Sequence, residues 1–359
     1  MTTPTAPRPR DVGNDATKGF LVALVALGHF VPAQSLSPWL SSGGLYDFHV
    51  IGFLLLPFLR PAAPFGVRVF ADRAVRYFVP FLVFALLSFL AWKLTVNPAA
   101  VWRALPAALL YGDVLSLGDG VGFTFLWFLP ALFSLTWLRS AIAVCRGFLH
   151  TALVLAVLLA HGLMTWPGFP LPFNPLPALF VLPIGWALTR LAPLRRGHIL
   201  WLVLSVICGI VAARLHHHIN IGALAVSTWR QPGLLLLHDV YALAATLTVI
   251  HFGDQLARIP GLVPIGRYSL VVYLSHQFVL KAVEIGASRH QWYTSPGAKL
   301  VLVVVAVPGS LALGWLLARL LERPAIRPWI LPQSLRDWPV SARLLRLSQA
   351  ETPRSGTPA

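Results

Sequence analysis

The sequence predicts an all-α polytopic membrane protein, a helical bundle of about ten transmembrane helices with one further interfacial or re-entrant helix. Of its 359 residues, 57% are hydrophobic and only 11% are charged, whereas soluble proteins carry about a quarter charged residues. Apolar runs follow one another along the chain, and several approach or exceed the roughly 18–20 residues that cross a bilayer as a helix. The connecting loops are too short to form a soluble catalytic domain, so any chemistry is expected on the helices or their loops.

The apolar runs define ten predicted spans and one shorter segment. The segment from Ala100 to Leu117 is apolar but is interrupted by Arg103, Pro106 and Asp113. It therefore fits an interfacial or re-entrant helix better than an eleventh crossing. The spans are predicted at residues 20–38, 45–60, 77–96, 121–142, 148–166, 174–191, 198–214, 232–252, 267–286 and 298–320.

The basic residues are distributed unevenly among the loops. With a cytoplasmic N-terminus, 21 of the 28 Lys and Arg residues fall in cytoplasmic segments, as the positive-inside rule prefers. We therefore expect a multi-pass protein of the cell (inner) membrane with both termini cytoplasmic. Residues 1–19 form a predicted cytoplasmic segment, 20–323 the transmembrane domain, and 324–359 a basic, partly disordered tail that lies against anionic membrane lipids.

The formal charge of +16 does not indicate nucleic-acid binding. The aromatic residues lie within or at the ends of apolar runs, where Trp and Tyr commonly mark membrane interfaces. The basic residues lie mainly in the segments predicted to be cytoplasmic and do not form a separate basic domain. The two cysteines, Cys145 and Cys208, imply no disulfide framework and are expected to be apolar packing residues.

Two histidines in the first two predicted spans are the main catalytic candidates. His29 lies eleven residues after Lys18, roughly 16 Å along a helix and near the expected bilayer centre. Histidine can stay neutral in that environment and can accept and return a proton. His49 opens the second span, and in a helical hairpin the two rings could face a common cavity. The alternative for each is a structural hydrogen bond within the bundle.

Two arginines before the third predicted span suggest a phosphate site. Arg73 and Arg76 are three residues apart and share a helix face. Two guanidinium groups at a cytoplasmic helix entrance suit a phosphate-bearing ligand, and Lys18 would add to the same patch. The alternative is an ordinary positive-inside anchor.

Other polar and aromatic residues indicate a functional role less specifically. Trp127 could line a substrate groove or serve as an interfacial anchor. Tyr273 and His276 share a face of a late span, and Lys281 and Glu284 could simply pair near the outer surface.

The sequence contains two further polar features, a histidine tract and an aspartate within a span. His216, His217 and His218 fall outside the membrane and point in different directions on a helix, so no metal site is predicted there. Asp239 lies inside a predicted span and is a candidate for a polar cavity.

Taken together, these residues resemble the membrane acyltransferases called acyltransferase family 3, in particular its fucose 4-O-acetylase-like and polysaccharide O-acetyltransferase branch. The resemblance covers about residues 11–323, and its pieces occur in the expected order. They are Asp15-x-x-Lys18-Gly19 with Gly28-His29, then Phe48-His49, Arg73-x-x-Arg76 before Pro80, Trp127-Phe-Leu-Pro130, and Tyr273-Leu-Ser-His276. The family commonly follows Phe-His with Met-Pro, whereas this chain has Val50-Ile51, so the shape of the second-span cavity differs.

The resemblance implies an O-acyltransferase, expected to be an O-acetyltransferase. It would move an acyl group from cytoplasmic acyl-CoA, as donor substrate, to a hydroxyl of a sugar, glycolipid or polysaccharide. No permanently bound cofactor is implied. Lys18, Arg73 and Arg76 would hold the phosphates of acetyl-CoA, and His29, with His49, would serve in catalysis. His29 would act as general base or, alternatively, would be acylated transiently. The residues implied in substrate binding are Asp15, Trp127, Tyr273 and His276.

Two other classes of protein fit the composition. A small-molecule transporter or flippase with a histidine-lined path would be expected to show internal symmetry and broken helices at the midplane, and no repeat is evident in the sequence. A non-catalytic membrane scaffold would leave the polar residues dispersed in space.

Overall fold

The structure is a computed structural model, and it describes residues 11–41, 44–99, 102–163, 171–194, 197–215, 219, 221, 232–292 and 294–341. The histidine tract at 216–218 and the tail beyond residue 341 lie outside the described residues. The part of the chain described forms helices joined by turns and loops, with no β-strand. The all-α class predicted from the sequence is therefore confirmed.

Seventeen α-helices are assigned within those residues, and short 3₁₀ turns connect some of them. The 3₁₀ turns cover Leu45–Asp47, Leu56–Leu59, Trp102–Ala104 and Thr124–Trp127. The helices are α1 Val12–Gly28, α2 Val31–Gln34, α3 Pro38–Ser41, α4 His49–Leu55, α5 Val67–Thr95, α6 Leu105–Tyr111, α7 Val114–Val121, α8 Phe128–Val144, α9 Gly147–Leu163, α10 Pro175–Leu191, α11 His198–Arg214, α12 Pro232–His251, α13 Gly253–Leu256, α14 Leu262–Arg267, α15 Ser269–Arg289, α16 Pro296–Leu321 and α17 Arg327–Ile330.

Five helical segments in the described chain are long and apolar enough to cross a membrane. They are Val67–Thr95, Thr124–Val144, Gly233–His251, Ser269–Arg289 and Pro296–Leu321. Shorter apolar helices occur at His49–Leu59, Gly147–Gly162, Pro175–Leu191 and His198–Arg214. Helices thus lie at all the predicted spans, while the count of ten crossings stays a prediction.

Large apolar side chains are exposed along whole helix faces. On α16, Val301, Val304 and Val305 are each more than 60% exposed, and on α11 Ile207 and Ile210 are more than half exposed. Apolar patches of this extent are unusual on soluble monomers. Such faces are suited to contact with lipid, where apolar side chains incur no hydration penalty.

Contacts divide the chain into two units. The first comprises Met1–Leu59, Ile184–Asn220 and Trp229–Leu317, and the second comprises Arg60–Pro183, Ile221–Thr228 and Ala318–Ala359. The first unit contains α1–α4 and α11–α15, and the second contains α5–α9 and α17.

The first predicted span is interrupted, which corrects the expectation of one helix over residues 20–38. The helix α1 begins at Val12, inside the segment 1–19 assigned to the N-terminal extension, and ends at Gly28. Pro32 explains the interruption: proline has no N–H for the carbonyl four residues earlier, and its ring clashes with that carbonyl. A short helix, α2, then starts at Val31 with Pro32 in its first turn.

The segment predicted as interfacial or re-entrant forms two short helices, α6 and α7. Gly112 joins them with φ +63°, a left-handed conformation that glycine adopts without steric cost. The Asp113 carboxylate caps α7 by accepting from the backbone N–H groups of Leu115 and Ser116 at 2.9 and 3.2 Å. With seven and eight residues, each helix spans only about 10–12 Å, too short to cross a bilayer.

The N-terminal half of α1 packs unusually closely on α14. An added Cβ at Gly19 would overlap the carbonyl oxygen of Leu262, and one at Gly266 would overlap the carbonyl oxygen of Asp15. Glycine at both positions lets the two backbones touch, as small residues do at membrane helix interfaces. This packing fixes the helix that carries Asp15, Lys18 and His29.

We expect Gly266→Ala to destabilise the protein, because its methyl group would collide with backbone atoms that cannot rotate away. Overpacking of this kind typically costs about 1–3 kcal/mol. The matched control is Gly309→Ala in α16, where an added Cβ meets nothing within 4 Å. The measurement is the melting temperature of each purified variant in detergent. Equal melting temperatures for the two variants would contradict the close packing of α1 on α14.

Candidate active site

Three histidine rings from three helices of the first unit meet in one cluster, hereafter the histidine cluster. His29 follows the last residue of α1, His49 begins α4, and His276 lies in the middle of α15. The ring centroid of His29 is 5.8 Å from that of His49 and 5.6 Å from that of His276. Tyr273 adds a fourth ring, 5.6 Å from His276. The structure therefore brings together four residues that the sequence analysis selected from three distant parts of the chain.

Each imidazole is held by the backbone of its own helical turn. The Nδ1 atom of His29 lies 2.8 Å from the carbonyl oxygen of Val25. Likewise, the Nδ1 atoms of His49 and His276 contact the carbonyl oxygens of Leu45 and Tyr273. A carbonyl only accepts, so these contacts assign the proton to Nδ1 and the lone pair to Nε2 in all three neutral rings. Nε2 is then the nitrogen that can accept a proton.

The three histidines differ in access. His49 and His276 are fully buried, and Tyr273 is 2% exposed. The residue His29, just past the end of α1, keeps part of its surface exposed.

The chain break next to His29 is stabilised by a side chain. The carbonyl of Gly28 has no helical donor, because the residue four positions on is Pro32. The Gln34 side-chain amide donates to this carbonyl at 2.6 Å. Buried backbone groups need such partners, so Gln34 helps to hold the turn that presents His29. Gly28 and Pro32 indicate this break in the sequence, but the prediction of one helix over residues 20–38 did not take them into account.

Aromatic packing supports the helix that carries His49. The ring of Phe48 meets that of Tyr241 of α12 edge-to-face, at 5.6 Å between centroids. Asp47 is buried, and its carboxylate accepts from the backbone N–H of Ile219 at 3.1 Å. These contacts of Phe48 and Asp47 hold the backbone at the start of α4, where His49 lies.

At the other end of α1, Asp15 and Lys18 form an ion pair. Nζ of Lys18 lies 3.3 Å from the Asp15 carboxylate, and the side chains are 28% and 6% exposed. The carboxylate lies in the first turn of α1, where the helix dipole favours a negative charge. Asp15 therefore holds Lys18 in place, and Lys18 remains accessible to solvent.

The two arginines of α5 in the second unit have different roles. Arg73 is half-buried, and its Nη1 donates to the carbonyl of Thr136 at 2.7 Å and to Oγ of Ser140 at 2.9 Å, both in α8. Arg76 is exposed and makes one such bond, to the carbonyl of Gln333 at 3.1 Å. Arg73 thus ties α5 to α8, and Arg76 is the more available group. Lys18 belongs to the other unit, so a patch shared by all three stays a prediction.

The segment after α17 is attached to α5. The backbone N–H of Leu335 donates to the Asp72 carboxylate at 2.8 Å, beside the Arg76 contact with Gln333. Gln333 and Leu335 thus contact the N-terminal part of α5, and the tail predicted at 324–359 stays a prediction.

Trp127 is a packing residue of the second unit in this structure. It is 6% exposed, and its carbonyl lies 3.4 Å from the side-chain amide of Asn174. Asn174 and Phe173 adopt positive φ angles of 46° and 64° just before α10. Trp127 belongs to the second unit and the histidine cluster to the first, so its part in a substrate groove stays a prediction. Among the described residues, no group of three or more His, Cys, Asp or Glu side chains has a metal-binding arrangement.

We expect Arg73→Ala to destabilise the protein more than Arg76→Ala. Hydrogen bonds from a charged group contribute about 1.5–3 kcal/mol, and removing Arg73 deletes two such bonds to α8. Exposed substitutions such as Arg76→Ala usually change stability by no more than about 0.5 kcal/mol. Melting temperatures in detergent test this order, and equal values would argue against a structural role of Arg73.

Comparison with known proteins identifies the family. Residues 12–319 match the family model of the acyltransferase 3 family, described as an acyltransferase domain. The chain is also 25% identical over 324 residues to the nodulation protein NolL of Mesorhizobium japonicum, covering 82% of this chain and 78% of that protein. No solved structure matches the chain. The family match favours the acyltransferase over the transporter and scaffold alternatives: the chain belongs to the acyltransferase 3 family and is a membrane acyltransferase.

Proposed function

We propose that this protein is an O-acetyltransferase that moves an acetyl group from acetyl-CoA to a hydroxyl of a sugar, glycolipid or polysaccharide. The observation that carries the proposal is the histidine cluster, in which the ring of His29 is oriented by the carbonyl of Val25. An acyl transfer to a hydroxyl needs a base for the hydroxyl proton, and neutral imidazole is suited to that role near neutral pH.

The proposed reaction proceeds by direct transfer. Nε2 of His29 accepts the proton of the acceptor hydroxyl as the oxygen attacks the thioester carbonyl. The tetrahedral intermediate collapses with cleavage of the carbon–sulfur bond, and the imidazolium returns its proton to the leaving thiolate, which gives an ester and free CoA. General base catalysis of this kind contributes about 10²–10⁴-fold.

The neighbouring rings support the charge that develops on His29. The neutral rings of His49 and His276 carry Nε2 lone pairs and lie within 6 Å of His29, centroid to centroid. They can accept hydrogen bonds from the imidazolium or from acceptor hydroxyls. His49 is therefore the second catalytic residue of the proposal, and His276 and Tyr273 are assigned to acceptor binding.

The donor phosphates are assigned to basic residues at the helix ends. Lys18 is accessible and held by Asp15, and Arg76 is exposed with a planar guanidinium that suits phosphate oxygens. Arg73 is assigned to the same role at the Arg-x-x-Arg motif, although its bonds to α8 give it a structural function as well. Asp15 and Trp127 are assigned to substrate binding through the family motifs that contain them.

The proposed location is the inner membrane, with both termini in the cytoplasm. The 21 of 28 basic residues that this orientation places in the cytoplasm support it. Acetyl-CoA would then reach Lys18 and Arg76 from the cytoplasmic side, and membrane lipids would surround the apolar helix faces.

We expect His29→Gln to abolish acyl transfer while leaving the protein folded and membrane-inserted. Gln offers a hydrogen-bond donor and acceptor but cannot take up a proton near neutral pH. Donor affinity should survive, because Lys18 lies eleven residues, roughly 16 Å, away along α1. The measurement is release of free CoA from acetyl-CoA, with donor affinity determined in parallel in detergent. Turnover near the wild-type value would return His29 to a structural role.

We expect Arg76→Lys to weaken donor binding, because lysine keeps the charge but lacks the planar fork that pairs with phosphate. The Michaelis constant for acetyl-CoA should rise several-fold with kcat little changed, since uniform binding is lost. Arg336→Lys is the matched control, an arginine outside the motif in the second unit. An unchanged Michaelis constant in Arg76→Lys would remove Arg76 from the donor site.

A further inference from the structure

A buried carboxylate of α15 contacts the chain immediately after His29. Glu284 is 9% exposed. One carboxylate oxygen, Oε1, accepts from the backbone N–H of Val31 at 2.9 Å. The other, Oε2, accepts from Nζ of Lys281 at 2.5 Å, one turn earlier in the same helix. The sequence suggested only a surface pair between Lys281 and Glu284. The structure adds the contact of Glu284 with Val31.

The Val31 contact belongs to the same break that presents His29. The N–H of Val31 is in the first turn of α2 and has no helical acceptor. Gln34 satisfies the carbonyl on one side of His29, at Gly28, and Glu284 satisfies the N–H on the other side. Two side chains thus hold the backbone before and after His29.

The same helix carries His276, which faces His29. Residues 276 and 284 are eight positions apart, close to two helical turns and about 12 Å, so they share one face of α15. The helix therefore contacts the His29 ring through His276 and contacts the following backbone through Glu284. A single rigid element sets the position of His29 relative to His276.

We propose that Glu284 is a positioning residue for His29: by binding the N–H of Val31, it fixes the turn after α1 and thereby the place of the His29 imidazole in the histidine cluster. Lys281 compensates the carboxylate charge in this buried place. The inference rests on the proposed function, in which His29 is the general base.

The test compares substitutions that separate the length of the side chain from its charge. Glu284→Gln keeps an oxygen at the same distance and can still accept from Val31, whereas Glu284→Asp keeps the charge but withdraws the carboxylate by one methylene. Small displacements of a catalytic group cost up to about 10²-fold in rate. We expect kcat for CoA release to fall about 10-fold or more in Glu284→Ala and Glu284→Asp, and to stay within about 3-fold of wild type in Glu284→Gln.

The Michaelis constant for acetyl-CoA should change little in all three variants, because Lys18 lies at the opposite end of α1. Glu322→Ala is the matched control, an exposed glutamate at the end of α16, and should leave kcat unchanged. Size-exclusion profiles in detergent report folding. If Glu284→Ala does not fold, the order of Glu284→Gln above Glu284→Asp still decides the question.

Turnover of the His29→Gln variant distinguishes the inference from the function on which it rests. Wild-type kcat in Glu284→Ala or Glu284→Asp beside an inactive His29→Gln would overturn only the positioning role. A loss in Glu284→Gln as large as that in Glu284→Asp, or larger, would also overturn it, since the loss would then not follow the length of the side chain. Normal turnover in His29→Gln would overturn both proposals.

Discussion

The break in the first apolar segment is the constraint on which the histidine cluster depends. Gly28 and Pro32 are buried where α1 ends, and within a membrane each backbone N–H or C=O without a partner costs on the order of several kcal/mol. The chain meets this requirement with specific side chains: Gln34 for the carbonyl of Gly28 and Glu284 for the N–H of Val31. His29 stands between the two bonds, so satisfying the backbone also determines where the imidazole lies.

Neutral histidine is well matched to this environment. A buried lysine or arginine would carry the penalty of an unpaired charge among apolar helices, whereas an imidazole can remain neutral and still exchange a proton. The three rings share one arrangement, with Nδ1 directed to a carbonyl of the preceding turn. The backbone one turn earlier supplies that carbonyl in each case, so the three rings are oriented without additional polar residues.

The sequence predicted the helices more reliably than their connections and contacts. Length and apolarity indicate a helix, so each predicted span coincides with helical residues, and the interruption at 100–117 was expected from Arg103, Pro106 and Asp113. The break at His29 was not predicted, because a single proline does not interrupt the apolar run although it interrupts the helix. Arg73 was interpreted as a ligand-binding group, but its bonds to Thr136 and Ser140 depend on the packing of α5 on α8. Spacing along one helix cannot reveal that packing, nor the contact between Glu284 and a residue more than 250 positions away.

In the proposed reaction α1 acts as a rigid spacer between the two ends of the donor. Lys18 near its start is held by Asp15, and His29 lies just past its end, roughly 16 Å further along the axis. A spacer is useful only if it cannot slide, and the backbone contact of Gly19 with Leu262 and of Gly266 with Asp15 prevents axial movement of α1 against α14. The glycine of the Asp-x-x-Lys-Gly motif therefore has a physical reason to accompany the two charged residues. It sets the depth at which the helix sits, and hence the distance from a bound phosphate to the base that receives the proton.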